Sequence, residues 1–144
     1  MKAKDFLNEL RHDEIVAAIR QAEQTTSGEI RVFISRHEPD DIMAAAQTQF
    51  TRLEMNKTAE RNGVLIYVAP RVRKFAIIGD TAVHERCGNV FWEAVATEMT
   101  TEFKQSRFTE GILHAIGKAG QLLAQHFPAA PGNKNELSDD VEHD

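Results

Sequence analysis

An α/β fold built on a small mixed sheet is predicted by three features of this sequence. Residues 61–80, RNGVLIYVAPRVRKFAIIGD, hold two apolar runs, VLIYVA and KFAIIG, joined by only four residues. A parallel return needs about a dozen residues or more, so Pro70, Arg71, Val72 and Arg73 must form a hairpin turn between antiparallel strands. Residues 29–35, EIRVFIS, alternate Ile30, Val32 and Ile34 against Arg31, Phe33 and Ser35, as a half-buried strand does. A helical segment separates this strand from VLIYVA. Strand, helix, strand then reads as a crossover unit with parallel strands and a right-handed connection as the default.

The elements follow in order. Phe6, Leu7 and Leu10 give residues 4–10 a short amphipathic character. A longer helix comes next, with His12 or Asp13 as its cap, Asp13 and Glu14 at its positive end, and Ile15, Val16, Ile19 and Ala22 on one face until Ser27 and Gly28 stop it. After the strand at Glu29, Asp40 and Asp41 follow Pro39 as caps of a helix on which Ile42, Ala45, Ala46, Phe50 and Leu53 recur. The hairpin brings its far ends together: with Val68 opposite Phe75, Asn62 and Gly63 come beside Asp80 and Thr81. Val83, Cys87, Val90, Phe91, Ala94, Val95 and Met99 mark one long helix after Asp80, and Ile112, Leu113, Ile116, Leu123 and Phe127 mark another. Gly111, Gly117 and Gly120 inside that last helix each cost about 1 kcal/mol in propensity, which points to close approach of a neighbour or to a weaker helix. Trp92 and Phe91 at helical spacing are core or interface residues before they are a stacking platform.

Composition bounds the function. The 144 residues make one domain, residues 1–128, and the acidic, Pro/Gly-containing segment 129–144 reads as a flexible tail that can be removed with little loss of stability. The tail holds five acids and one lysine, so of the net charge of −5 only −1 belongs to residues 1–128. Without a basic stripe, nucleic acid is not an expected partner. No apolar run approaches the roughly 18 residues that span a bilayer, and MKAKDFLNEL places Asp5, Asn8 and Glu9 where a signal peptide is apolar. Cys87 is the only cysteine, as expected of a packing residue in a reducing compartment, and the chain is expected to be cytoplasmic. No H-x-H, H-E-x-x-H, G-x-S-x-G, Walker, G-x-G-x-x-G or C-x-x-C pattern occurs.

In order and motif the chain resembles the TPM domains, a family found in a thylakoid lumen protein, a photosystem II repair factor and an animal acetylcholine-receptor accessory protein. The residues that carry the resemblance are AEQTTSGEIRVFIS, RNGVLIYVAP followed by RKFAIIGD, and FTEGILHAIGKAGQLLAQHFP, which together run from about Asp13 to Pro128. The resemblance implies a three-layer α/β/α sandwich. It also implies acid phosphatase activity with divalent-cation binding, as in the plant members, or assembly and accessory roles. His12, Asp13 and Glu14 stand where plant members carry an aspartate pair, and a stand-alone cytosolic branch of the family is the best match.

Two ends of the sheet gather polar residues. One collects Gly28, Glu29, Arg61, Asn62, Gly79 and Asp80, with His84 a turn into the helix; the other collects Ser35, His37, Glu38, Asp40 and Asp41 with Arg71, Arg73 and Lys74. Ligands of open α/β sheets sit beyond the carboxyl ends of parallel strands, which favours the second. Asp80 is a candidate general acid or metal ligand at a helix start, and Arg61 a candidate clamp for phosphate; their structural alternatives are a helix cap and a surface ion pair. Asp40 and Asp41 could share a divalent cation with hard-oxygen preference, calcium or magnesium, and are otherwise caps. Glu29, Asn62, Gly79 and His84 would line the Asp80 site. The expected function is a non-catalytic module binding a protein partner or a small phosphorylated ligand, with a metal-assisted acid phosphatase acting on phosphomonoesters as the alternative.

Overall fold

The computed structural model describes residues 1–129 and 139–144, excluding the side chains of residues 89–91. Its helices are α1 (Ala3–Glu9), α2 (His12–Glu23), α3 (Ile42–Arg52), α4 (Thr81–Phe103) and α5 (Phe108–His126). Its strands are β1 (Glu29–Ile34), β2 (Gly63–Ala69), β3 (Lys74–Gly79) and β4 (Glu142–His143), lying in the order β3-β2-β1-β4. β1 runs parallel to β2 from Glu29 opposite Gly63 to Ile34 opposite Val68, and β2 runs antiparallel to β3 with Val68 opposite Phe75. The register read from the hairpin therefore holds. It continues past the strands, where Asp80 N–H donates to Gly63 O at 2.9 Å and Ala82 N–H to Arg61 O at 3.2 Å.

Alternation along the strands sorts the side chains into two cores. Ile30, Val32, Ile34, Val64, Ile66, Val68 and Ile77 pack with residues of α1, α2, α4 and α5. Phe33, Leu65, Tyr67, Ala76 and Ile78 pack with Ala46 and Phe50 of α3 and with Met55. The result is an α/β/α sandwich. β1 is consequently buried along both faces rather than half-buried, because α3 covers the face that carries Phe33.

Two local details differ from the sequence reading, and a third decides between its alternatives. Arg11, not His12 or Asp13, occupies the cap position of α2, and its side chain pairs with Glu110 at 2.8 Å instead of capping; His12 Nε2 lies 2.9 Å from Leu7 O. α4 is broken at Gly88, whose φ of 70° is one that other residues rarely adopt. Within α5, a Cβ on Gly111 would come within 2.6 Å of the Phe103 ring and one on Gly120 within 2.8 Å of the Ala22 methyl, so these two glycines mark close approach; Gly117 faces open space.

The tail reads differently at its far end. Residues 130–138 lie outside the described residues, but Glu142 and His143 pair in parallel with Phe33 and Ile34 of β1. Charge explains it: Glu142 meets the buried Arg31, Asp139 lies 3.4 Å from Arg20, and Asp144 Oδ2 accepts from Ser35 Oγ at 2.8 Å. Among the described residues, no helix is long and apolar enough to cross a membrane.

Candidate functional site

The turn between β3 and α4 fixes Asp80. It is the N-cap of a 23-residue helix and is 6% exposed. Its Oδ1 accepts from Thr81 N–H at 2.7 Å and from Arg61 Nη2 at 3.1 Å, while Oδ2 accepts from Arg61 Nε at 2.9 Å. Arg61 reaches it from a left-handed backbone (φ 53°) one residue before Asn62, with a side chain 49% exposed. The fork-on-carboxylate geometry is the strong bidentate form of the ion pair, and the bond to Asp80 raises the Arg61 pKa. Both structural alternatives, cap and ion pair, are present together in one arrangement.

The other residues expected at this end serve separate purposes. Asn62 is fully buried and donates from Nδ2 to Ser27 Oγ at 3.1 Å and to Glu60 Oε2 at 3.4 Å. Gly79 is small because a Cβ there would overlap the Trp92 ring, and Trp92 Nε1 donates to His84 Nδ1 at 3.3 Å. Glu29, 2% exposed, belongs to a carboxyl group cluster the sequence reading did not foresee. Glu23, on the last turn of α2, accepts from Ile30 N–H at 2.9 Å and bonds Asp139 and Glu29 through its side chain. Burial first, then the bond to Asp139, push its pKa up to about 10, so Glu23 carries a proton at neutral pH. No motif signals this cluster, since its outermost members, Glu23 and Asp139, are 116 residues apart in sequence.

At the opposite end, Asp41 caps α3 by accepting from Ala44 N–H at 3.1 Å, and Asp40 beside it is exposed. Ser35, Arg36 and His37 all turn toward Asp144: Arg36 N–H donates to its Oδ1 at 2.8 Å and His37 Nε2 lies 3.3 Å from its Oδ2. Arg71 lies 3.7 Å from Glu38. Asp80 sits beyond the amino end of β2 and Asp40 and Asp41 follow the carboxyl end of β1, so these three do not form one site. The donor set fits a divalent cation poorly. The oxygens of Asp80 already serve Thr81 and Arg61, an Asp41 oxygen serves Ala44, and among the described residues no three His, Cys, Asp or Glu side chains converge in a metal-holding group.

A cavity of about 540 Å³ opens beyond the carboxyl end of β2, lined by Val68, Arg73, Lys74, Phe75, Phe103 and Phe108 among others. The sequence reading assigned Arg73 and Lys74 to this end. It missed the rings, because Phe103 and Phe108 at the ends of two helices look like ordinary core.

A family model described as the TPM domain matches residues 1–122, and the chain belongs to that family. It is similar, at 37% identity over 94% of this chain and 96% of the other, to the BA42 protein of the psychrophilic bacterium Bizionia argentinensis, whose structure superposes with a TM-score of 0.88. The N-terminal domain of a P. gingivalis protein shares the fold at a TM-score of 0.59, with 12% identity over 77% of this chain and 72% of that one. No functionally curated protein matches.

Proposed function

We propose that this TPM domain is a non-catalytic module that binds a small ligand or a protein partner. The observation that supports this reading is the state of Asp80: both its oxygens are engaged, by Thr81 N–H and by the Arg61 fork. A carboxylate that attacks phosphorus, donates a proton to a leaving group or holds a metal needs an oxygen free for that purpose. Arg61 likewise presents its fork to Asp80 rather than to an incoming anion. The lone Cys87, its thiol pKa raised by burial, suits a reducing compartment, and we place the module in the cytoplasm.

The alternative, a metal-assisted acid phosphatase, is favoured by one feature. Arg61 is half exposed, so a phosphomonoester could draw it away from Asp80 and free both residues at once. Hydrolysis of p-nitrophenyl phosphate in the presence of calcium, magnesium or neither tests the choice. The module reading expects no turnover above the protein-free rate; robust turnover that Asp80→Asn abolishes would establish the phosphatase instead.

A further inference from the structure

We propose that the cavity beyond β2 binds an amphipathic monocarboxylate, an apolar body with one anionic head; this rests on the reading of the chain as a binding module and names what it takes. Four observations carry the assignment. The volume of about 540 Å³ lies within the roughly 300–1,000 Å³ of small-molecule sites. Its wall is aromatic: Phe103 meets Phe75 at 5.8 Å and Phe108 at 5.6 Å between ring centroids, both edge-on, and all three rings remain only half-buried. The core has left that ring surface open. A ligand with an alkyl or aryl body would cover it.

The rim is cationic. Arg73, Lys74 and Lys104 line the cavity and no acid does, although the chain as a whole has a net charge of −5. Among the described residues none of the three has a carboxylate partner, whereas Arg11, Arg20, Arg31, Arg61, Arg71 and Arg107 each have at least one. Three unpaired cations around an apolar hole complement an anion with an apolar body.

The backbone adds a fourth point. Arg73 (φ 55°) and Ser106 (φ 58°) both line the cavity in the left-handed region, where glycine is the cheaper residue. Arg73 holds this costlier conformation where its N–H closes the turn on Pro70 O at 3.1 Å, and a cation rather than a glycine occupies the position at the cavity wall. Inorganic phosphate alone would leave the rings in water, and a neutral alcohol would leave the three cations unmatched.

Titration of the full chain with decanoate below its micellar concentration, followed by calorimetry and by amide shifts in NMR spectra, tests the proposal. Saturable binding is expected, with shifts centred on Arg73, Phe75, Phe103 and Phe108, about tenfold weaker binding of decanol, and none of acetate or inorganic phosphate. Arg73→Gly removes one cation and relieves the left-handed φ, so it should fold at least as stably while binding decanoate about tenfold more weakly. Lys104→Gln should weaken binding in the same direction. Decanoate that binds Arg73→Gly/Lys104→Gln as tightly as the native chain overturns the assignment, as do shifts centred elsewhere, a melting temperature that collapses on addition, or no binding at all. The p-nitrophenyl phosphate assay separates the two readings. A chain that binds decanoate and also hydrolyses the ester keeps the cavity and loses the module, and one that does neither keeps the module and loses the cavity.

Discussion

Asp80 holds two interactions that can be removed one at a time. Asp80→Asn keeps a capping oxygen for Thr81 N–H and loses the charge facing Arg61; because Arg61 is half exposed, the expected cost is only about 0.5–1 kcal/mol. Asp80→Ala loses both, and about 1–2 kcal/mol is expected from chemical denaturation. Equal losses in the two variants would mean that the charge, not the cap, secures the start of α4. Glycines sort in the same way. Gly79→Ala must displace the Trp92 ring and should cost about 1–3 kcal/mol, whereas Gly117→Ala, with nothing within 4 Å of the new methyl, should stabilise by about 0.5–1 kcal/mol. Identical residue types in regular elements thus carry opposite signs, set by what stands opposite.

The terminal strand shows how an element of two residues can matter. Deleting residues 139–144 strips Arg31 of Glu142 and Ser35 of Asp144 and uncovers the outer edge of β1, so a loss of about 1–3 kcal/mol is expected by urea denaturation. An unchanged midpoint would mean the segment contributes nothing in solution. Composition alone gave the opposite expectation, because acids near a chain end look solvated until Arg20 and Arg31 are seen beneath them. The hairpin was legible for a covalent reason: four residues cannot reach a parallel start. β1 was legible as a strand but not in its burial, since alternation says which side chains share a face and not what covers it. At the Asp80 end the pairing with Arg61 followed from the hairpin register. The Glu23 cluster and the aromatic cavity had no local pattern, being assembled from residues distant in sequence.

For the molecule as a whole, the Glu23, Glu29 and Asp139 cluster, with Arg20 on Asp139, sets a pH dependence. Folding lifts the Glu23 pKa from an ordinary 4.5 to about 10, so the folded chain keeps a proton that the unfolded chain releases. Stability from this group is complete below the ordinary value and is lost as pH rises towards the folded one. Glu110 works oppositely: the bond to Arg11 lowers its pKa, and its contribution is lost on acidification. Urea midpoints at about pH 6 and pH 9 should fall for the native chain and change less in Glu23→Gln; equal falls would remove Glu23 as the cause. The chain supplies its own optical gauge for such experiments. Its one tryptophan, Trp92, sits against Gly79 and His84 beside β3, the edge of the sheet farthest from β4. Emission from that single indole reports exposure of the β3–α4 junction and is blind to release of the terminal strand, so partial and complete unfolding acquire different colours, the first silent and the second a red shift.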